Sequence, residues 1–78
     1  MKNFNKISID ESYKVEDIIC TTSIKKRLNS LGILKNSSIS IYKKIPLGGP
    51  IIINVNGCNI ALERKIFDTL ILNKSTGE

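Results

Sequence analysis

Apolar residues recur along this chain with two different periods. Between 23 and 32 they fall at helical spacing: Ile24, Leu28 and Leu31 stand at i, i+4 and i+7 on one face, with Lys25, Lys26 and Asn29 on the other. Thr22 or Ser23 can cap the first turn with its hydroxyl. Gly32 supplies the positive φ with which helices commonly end. Elsewhere the period is two. Residues 38–45 (SISIYKKI) turn Ile39, Ile41 and Ile45 one way, with Lys43 as the exception, and Ser38, Ser40, Tyr42 and Lys44 the other. Residues 51–55 put Ile51, Ile53 and Val55 on one face. Asn56-Gly57 separates that run from residues 58–62, and an Asn-Gly pair between apolar runs signals a type I′ hairpin, whose two central positions need positive φ.

Further strands are expected at 15–21 (VEDIICT), with Ile18 and Cys20 on one face and Ile19 on the other, and at 67–72 (FDTLIL), after one helical turn at 63–66. An extended arm starts at Ile7 and Ile9, residues 10–13 read as a turn, and residues 74–78 as a polar tail. Asn36 is the residue after the helix best able to take a left-handed conformation in place of glycine. About five short strands with tight turns and one short α-helix predict a mainly β fold, a small, partly open barrel with the helix packed on the sheet or plugging it. A parallel α/β fold is excluded because one helix cannot supply its crossovers. The 78 residues suffice for a single domain, 1–78, with an ordered core over roughly 7–73.

Charge narrows the partners. Twelve Lys and Arg against seven Asp and Glu leave +5, which suits an acidic protein surface, anionic lipid or nucleic acid. The basic residues form three groups: Lys25, Lys26 and Arg27; Lys35, Lys43 and Lys44; and Arg64 with Lys65. Single-strand binders interleave such charge with aromatics, and here only Tyr42 lies beside a basic pair, so nucleic acid is disfavoured. The alternative that remains in that class is a small nucleic-acid-binding barrel using Tyr42, Lys43 and Lys44, whose affinity would fall steeply with salt.

Chemistry finds little support. There is no histidine, the usual general acid–base at neutral pH, so no enzyme is expected and no catalytic residue stands out. The two cysteines, Cys20 and Cys58, show no CxxC spacing and read as reduced thiols; as metal ligands they would need two more partners, so a cysteine-based metal sensor is a second alternative. Asp10, Glu11, Glu16 and Asp17 lack calcium-loop spacing. The loop PLGGP (46–50) lacks the Lys-Ser/Thr of a phosphate loop and precedes a strand; it reads as a flexible hairpin loop of the kind that meets partners. No secretory signal and no run of about 20 apolar residues for a membrane span is present, so the chain is expected to be cytoplasmic.

Taken in order, certain residues resemble a known family. Lys26-Arg27-Leu28, Leu31-Gly32-Ile33 and the turn into Ser38-Ile39 are similar to the helix and exit turn of FeoA-type domains, small SH3-like accessory proteins of bacterial ferrous iron transport. Pro46-Leu47-Gly48-Gly49-Pro50-Ile51 is similar to that family's proline–leucine–glycine–x–proline loop, and Ile53, Val55, Gly57, Ile60-Ala61-Leu62 and Ile71 follow in the family's order. Two departures stand out: Lys35-Asn36 replace the usual proline and glycine of the exit turn, and Gly49 stands where aspartate is common.

The resemblance implies an SH3-like barrel and a non-enzymatic regulator that binds the cytoplasmic side of a membrane iron-transporting GTPase, at the inner face of the membrane. It implies no cofactor beyond a weak association with ferrous iron, and it leaves room for self-association. The same fold occurs as the C-terminal domain of metal-dependent repressors; with no helical DNA-binding domain ahead of it, this chain is not expected to be a complete one. The expected contact residues are Lys25, Lys26, Arg27 and Lys35 on the helix and its exit, with Leu47, Gly48 and Gly49 in the loop, because basic charge and loop freedom coincide there.

Overall fold

The computed structural model describes residues 7–74. Five strands and two helices follow in the order β1 (Ser12–Ile18), α1 (Thr22–Ser30), β2 (Ser38–Lys44), β3 (Ile51–Val55), β4 (Cys58–Leu62), α2 (Arg64–Phe67) and β5 (Leu70–Lys74). All strand pairings are antiparallel, in the order β4-β3-β2-β1-β5, so the sheet ends on β4 and β5 and stays open. This is the partly open, mainly β architecture that the alternating runs predict.

Two β-bulges shape the sheet. Opposite β3, Ile41 faces Ile53 but Lys43 faces Ile52, so β2 carries one extra residue at Tyr42. The extra residue flips the parity of the strand. That is why Lys43 breaks the alternation: it lies outside, while Lys44 turns inward and its Nζ donates to the Ile7 carbonyl at 2.6 Å. Opposite β5, Val15 faces Leu72 and Asp17 faces Ile71, so β1 has its own extra residue at Glu16. Tyr13, Val15 and Ile18 are therefore all buried, although no strict alternation includes the three.

This second bulge corrects the expected strand at 15–21. Pairing to β2 and β5 starts at Ser12 and ends at Ile18, so Ser12 and Tyr13 belong to the strand rather than to a turn. The buried Tyr13 accepts the Ser8 N–H on its hydroxyl at 2.9 Å. Cys20 lies beyond the strand, half-buried against the core. Ile7 is buried, but residues 7–11 form no strand; the Asp10 N–H donates to the Ile41 carbonyl at 2.8 Å across a turn with Asp10 at φ +70°.

α1 is capped by Thr21, one residue before the expected positions, its Oγ1 accepting the Ile24 N–H. It ends in a Schellman motif: Gly32 (φ +90°) donates to the Asn29 carbonyl, and Ile33 to the Leu28 carbonyl at 2.9 Å. That motif joins two apolar residues across the stop, and Leu28 and Ile33 are both fully buried. Leu31, expected on the buried face, is the C-cap and is exposed, because the chain turns away before its side chain can reach the sheet. Asn36 takes the left-handed conformation (φ +75°) at the third position of the turn from Leu34 to Ser37.

The Asn56-Gly57 hairpin forms as expected, with φ +53° and +84°. Phe67 does not begin a strand. It closes α2, its N–H donating to the Glu63 carbonyl at 2.9 Å, and it is completely buried. β5 consequently starts at Leu70 and takes in Lys74, which had read as tail.

Candidate functional site

The expected contact residues divide between two ends of the molecule. α1 and its exit turn lie where β2 begins, and a Cβ on Gly32 would stand 3.2 Å from the Asn56 amide nitrogen, so the Asn56-Gly57 turn is at this end too. The PLGGP loop joins the end of β2 to the start of β3, beside α2. Seven residues of β2 separate them, about 20 Å at strand rise. Lys25, Lys26, Arg27 and Lys35 therefore lie at one end, and Leu47, Gly48 and Gly49 at the other.

At the first end, all four basic residues are exposed. Lys25 and Lys35 share a shallow cleft of about 190 Å³ with Asp17, Ile18, Asn29 and Leu34. The exit turn is held against β1 by Asn36 N–H to the Val15 carbonyl (2.6 Å) and Val15 N–H to the Ser37 carbonyl (2.8 Å). The charges thus stand on a fixed surface, with the exposed Leu34 among them.

At the second end, the loop expected to be flexible is pinned. The Gly49 N–H donates to the Pro46 carbonyl (3.1 Å), with Leu47 (φ +59°) and Gly48 (φ +80°) between them, the paired positive φ of a type I′ turn. The Ile45 N–H donates to the Pro50 carbonyl at 3.1 Å. From α2, Arg64 donates to the carbonyls of Gly49 (Nε, 3.2 Å) and Ile45 (Nη2, 3.4 Å). Sequence reasoning missed Arg64 as the clamp, because its partners are main-chain atoms that leave no trace in residue identities. Beside the turn, Gly48, Pro50, Glu63, Arg64 and Lys65 line a cleft of about 430 Å³.

The two glycines serve different ends. Gly48 has open space around it and is set by its φ alone. Gly49 has no unusual φ, but a Cβ there would overlap the Ile45 side chain, 2.8 Å from its Cβ. Gly49→Ala is therefore expected to lower stability by about 1–3 kcal/mol, as overpacking does. In an Ile45→Ala background the loss should shrink without vanishing, because the γ-carbons are gone while the Cβ at position 45 still stands 2.8 Å from the added methyl. Urea unfolding of the four proteins in this double-mutant cycle checks it; strictly additive losses would show that the contact is absent.

Tyr42 and Lys43 are both exposed at the β2 bulge. Cys20 and Cys58 are free thiols, the second exposed at the start of β4. Among the described residues, no group of three or more His, Cys, Asp or Glu could hold a metal ion. No helix of the described residues is long and apolar enough to cross a membrane.

Comparison with known proteins follows from this geometry. The model of the FeoA domain family matches residues 3–74. No match was found among curated proteins. Among solved structures, the chain is similar to the FeoA protein from Chlorobium tepidum (TM-score 0.84, 22% identity), covering 100% of this chain and 73% of that one. It is similar to iron(II) transport protein A from Clostridium thermocellum (TM-score 0.84, 21% identity) over 99% of this chain but only 46% of that one. A crystal structure named iron uptake regulatory protein (FeoA) matches with TM-score 0.79 and 21% identity, over 90% of each chain. At these identities the likenesses establish the fold, which is SH3-like.

Proposed function

The chain belongs to the FeoA domain family, and from that premise we propose that it is an accessory protein of ferrous iron uptake, binding the cytoplasmic side of a membrane iron-transporting GTPase. It acts by contact and not by chemistry. The observation that carries this reading is the family match across residues 3–74. The printed names of similar structures, an iron(II) transport protein and an iron uptake regulatory protein, point the same way. The surface suits contact with an acidic partner: the net charge is +5, Lys25, Lys26, Arg27 and Lys35 are exposed, and Lys25 and Lys35 line the same cleft. The protein works in the cytoplasm, at the inner face of the membrane when bound, and needs no resident cofactor for this role.

Calorimetry against the purified cytoplasmic domain of the transporter tests the proposal. Saturable binding is expected, weakening with salt, and about tenfold weaker after Lys25→Glu with Lys26→Glu, since like charges at an interface repel. Absence of binding by the unaltered protein would overturn it. A low-salt mobility shift with RNA or DNA that Lys43→Glu abolishes would favour the nucleic-acid reading instead. Protection of Cys20 and Cys58 from thiol titration by ferrous or zinc ion would favour a metal sensor.

A further inference from the structure

Among the described residues, two turns have the paired positive φ of type I′, built from different residues. One is Asn56-Gly57, at φ +53° and +84°. The other is Leu47-Gly48, at φ +59° and +80°. Asn-Gly is the preferred pair for this geometry, because asparagine tolerates the left-handed region. Leucine does not: its Cβ crowds the following carbonyl. Leu47 is also completely exposed (101%), the most exposed of the large apolar residues described. The fold gains nothing from a strained backbone that holds an apolar side chain in water. Such strain, at a position overdetermined by its surroundings, points to use outside the fold.

Its surroundings define that use. The turn is held by main-chain bonds within the loop and by Arg64 from α2, so Leu47 is displayed in a fixed direction. Beside it lies the cleft lined by Glu63, Arg64 and Lys65, and Lys43 stands exposed on the same hairpin. The exposed Lys43 and Lys65 against Glu63 give this end a basic rim around one apolar knob.

We infer that Leu47 is a preformed anchor that inserts into an apolar pocket on a folded protein, with carboxylates flanking that pocket to meet Lys43 and Lys65. A bilayer would accept a leucine on a mobile loop equally well, since it has no shape to match; a clamped turn suits a pocket of defined shape. The inference rests on the proposed function, and it names a contact surface at the end of the molecule opposite α1. Little ordering entropy is lost on binding, because the turn is already fixed.

The test is Leu47→Asn, which creates the pair the other hairpin already uses. Its melting temperature is expected to be equal or higher, so lost binding cannot be ascribed to misfolding. Against the transporter's cytoplasmic domain, Kd should rise about tenfold or more, the effect of removing a central anchor. Lys65→Glu should weaken binding and flatten its dependence on salt. If the unaltered protein binds and Leu47→Asn binds equally well, the anchor is overturned while the proposed function stands. Failure of the unaltered protein to bind overturns both. If Leu47→Asn releases the protein from phosphatidylglycerol vesicles but leaves binding to the domain intact, the loop is a lipid anchor and the inference is wrong.

Discussion

Phe67→Ala is expected to lower stability by about 3–5 kcal/mol, the range for truncating a buried aromatic. A domain of this size has only about 4–12 kcal/mol in total, at 0.05–0.15 kcal/mol per residue, so this one substitution removes a large share of it. Phe67 is completely buried, at the end of the short α2 that carries the chain from the β4 edge of the sheet to the β5 edge. The helix beneath it has one turn, with bonds from Phe67 to Glu63 and from Asp68 to Arg64. Four residues cannot hold a helix by themselves, because nucleation is unfavourable and only packing offsets it. Losing the ring should therefore release α2, and with it the Arg64 clamp on the Ile45 and Gly49 carbonyls. Urea unfolding measures the loss, and hydrogen exchange at Gly49 reads the clamp. Phe67→Leu should cost far less. A loss below about 1 kcal/mol for Phe67→Ala would mean the core closes over the gap and the ring is not what holds α2.

Leu28→Ala should cost about 2–5 kcal/mol. Of the nine residues of α1, Leu28 alone is buried, with Ile24 packing from the half-buried margin. Leu28 also meets Ile33 across the Schellman stop, so both the helix and its exit turn depend on it. The expected sign of this dependence is early exchange of the α1 amides relative to those of β2 and β3. Ile24→Ala should show the same pattern at smaller cost. Equal protection of α1 and the sheet in Leu28→Ala would show that the helix is held by something other than this contact. Because Lys25, Lys26 and Arg27 ride on the same helix, Leu28→Ala should also weaken the proposed partner binding while leaving those three side chains unaltered. Binding data for core variants therefore need a stability measurement beside them.

Much of the fold was legible from local pattern. The helix over α1, the glycine stop, the Asn56-Gly57 hairpin and the inward faces of β2 and β3 all follow from residues a few places apart. Periodicity and turn geometry are local properties of the chain, and the structure keeps them at Leu28, Ile39, Ile41, Ile51, Ile53 and Val55. The ordered series from Lys26 to Ile71 pointed to the FeoA family, to which the match over residues 3–74 assigns the chain.

What the local pattern could not contain is what depends on pairing. The bulges at Glu16 and Tyr42 exist only relative to a partner strand, and they decide that Tyr13 and Ile18 both point inward and that Lys44, not Lys43, reaches Ile7. Phe67 looked like the start of a strand because its aromatic ring suits either state; the need to cross from the β4 edge to the β5 edge made it the end of a helix. The expected contact residues suffered most from this limit. Basic charge and a glycine-rich loop were visible in the sequence, but the extended run of β2 between them holds them at its opposite ends. The loop's rigidity comes from Arg64, 15 residues beyond Gly49 and adjacent only once α2 is packed. Composition marked residues 46–50 as a hairpin loop, whereas the positive φ and full exposure of Leu47 emerge only in the folded chain.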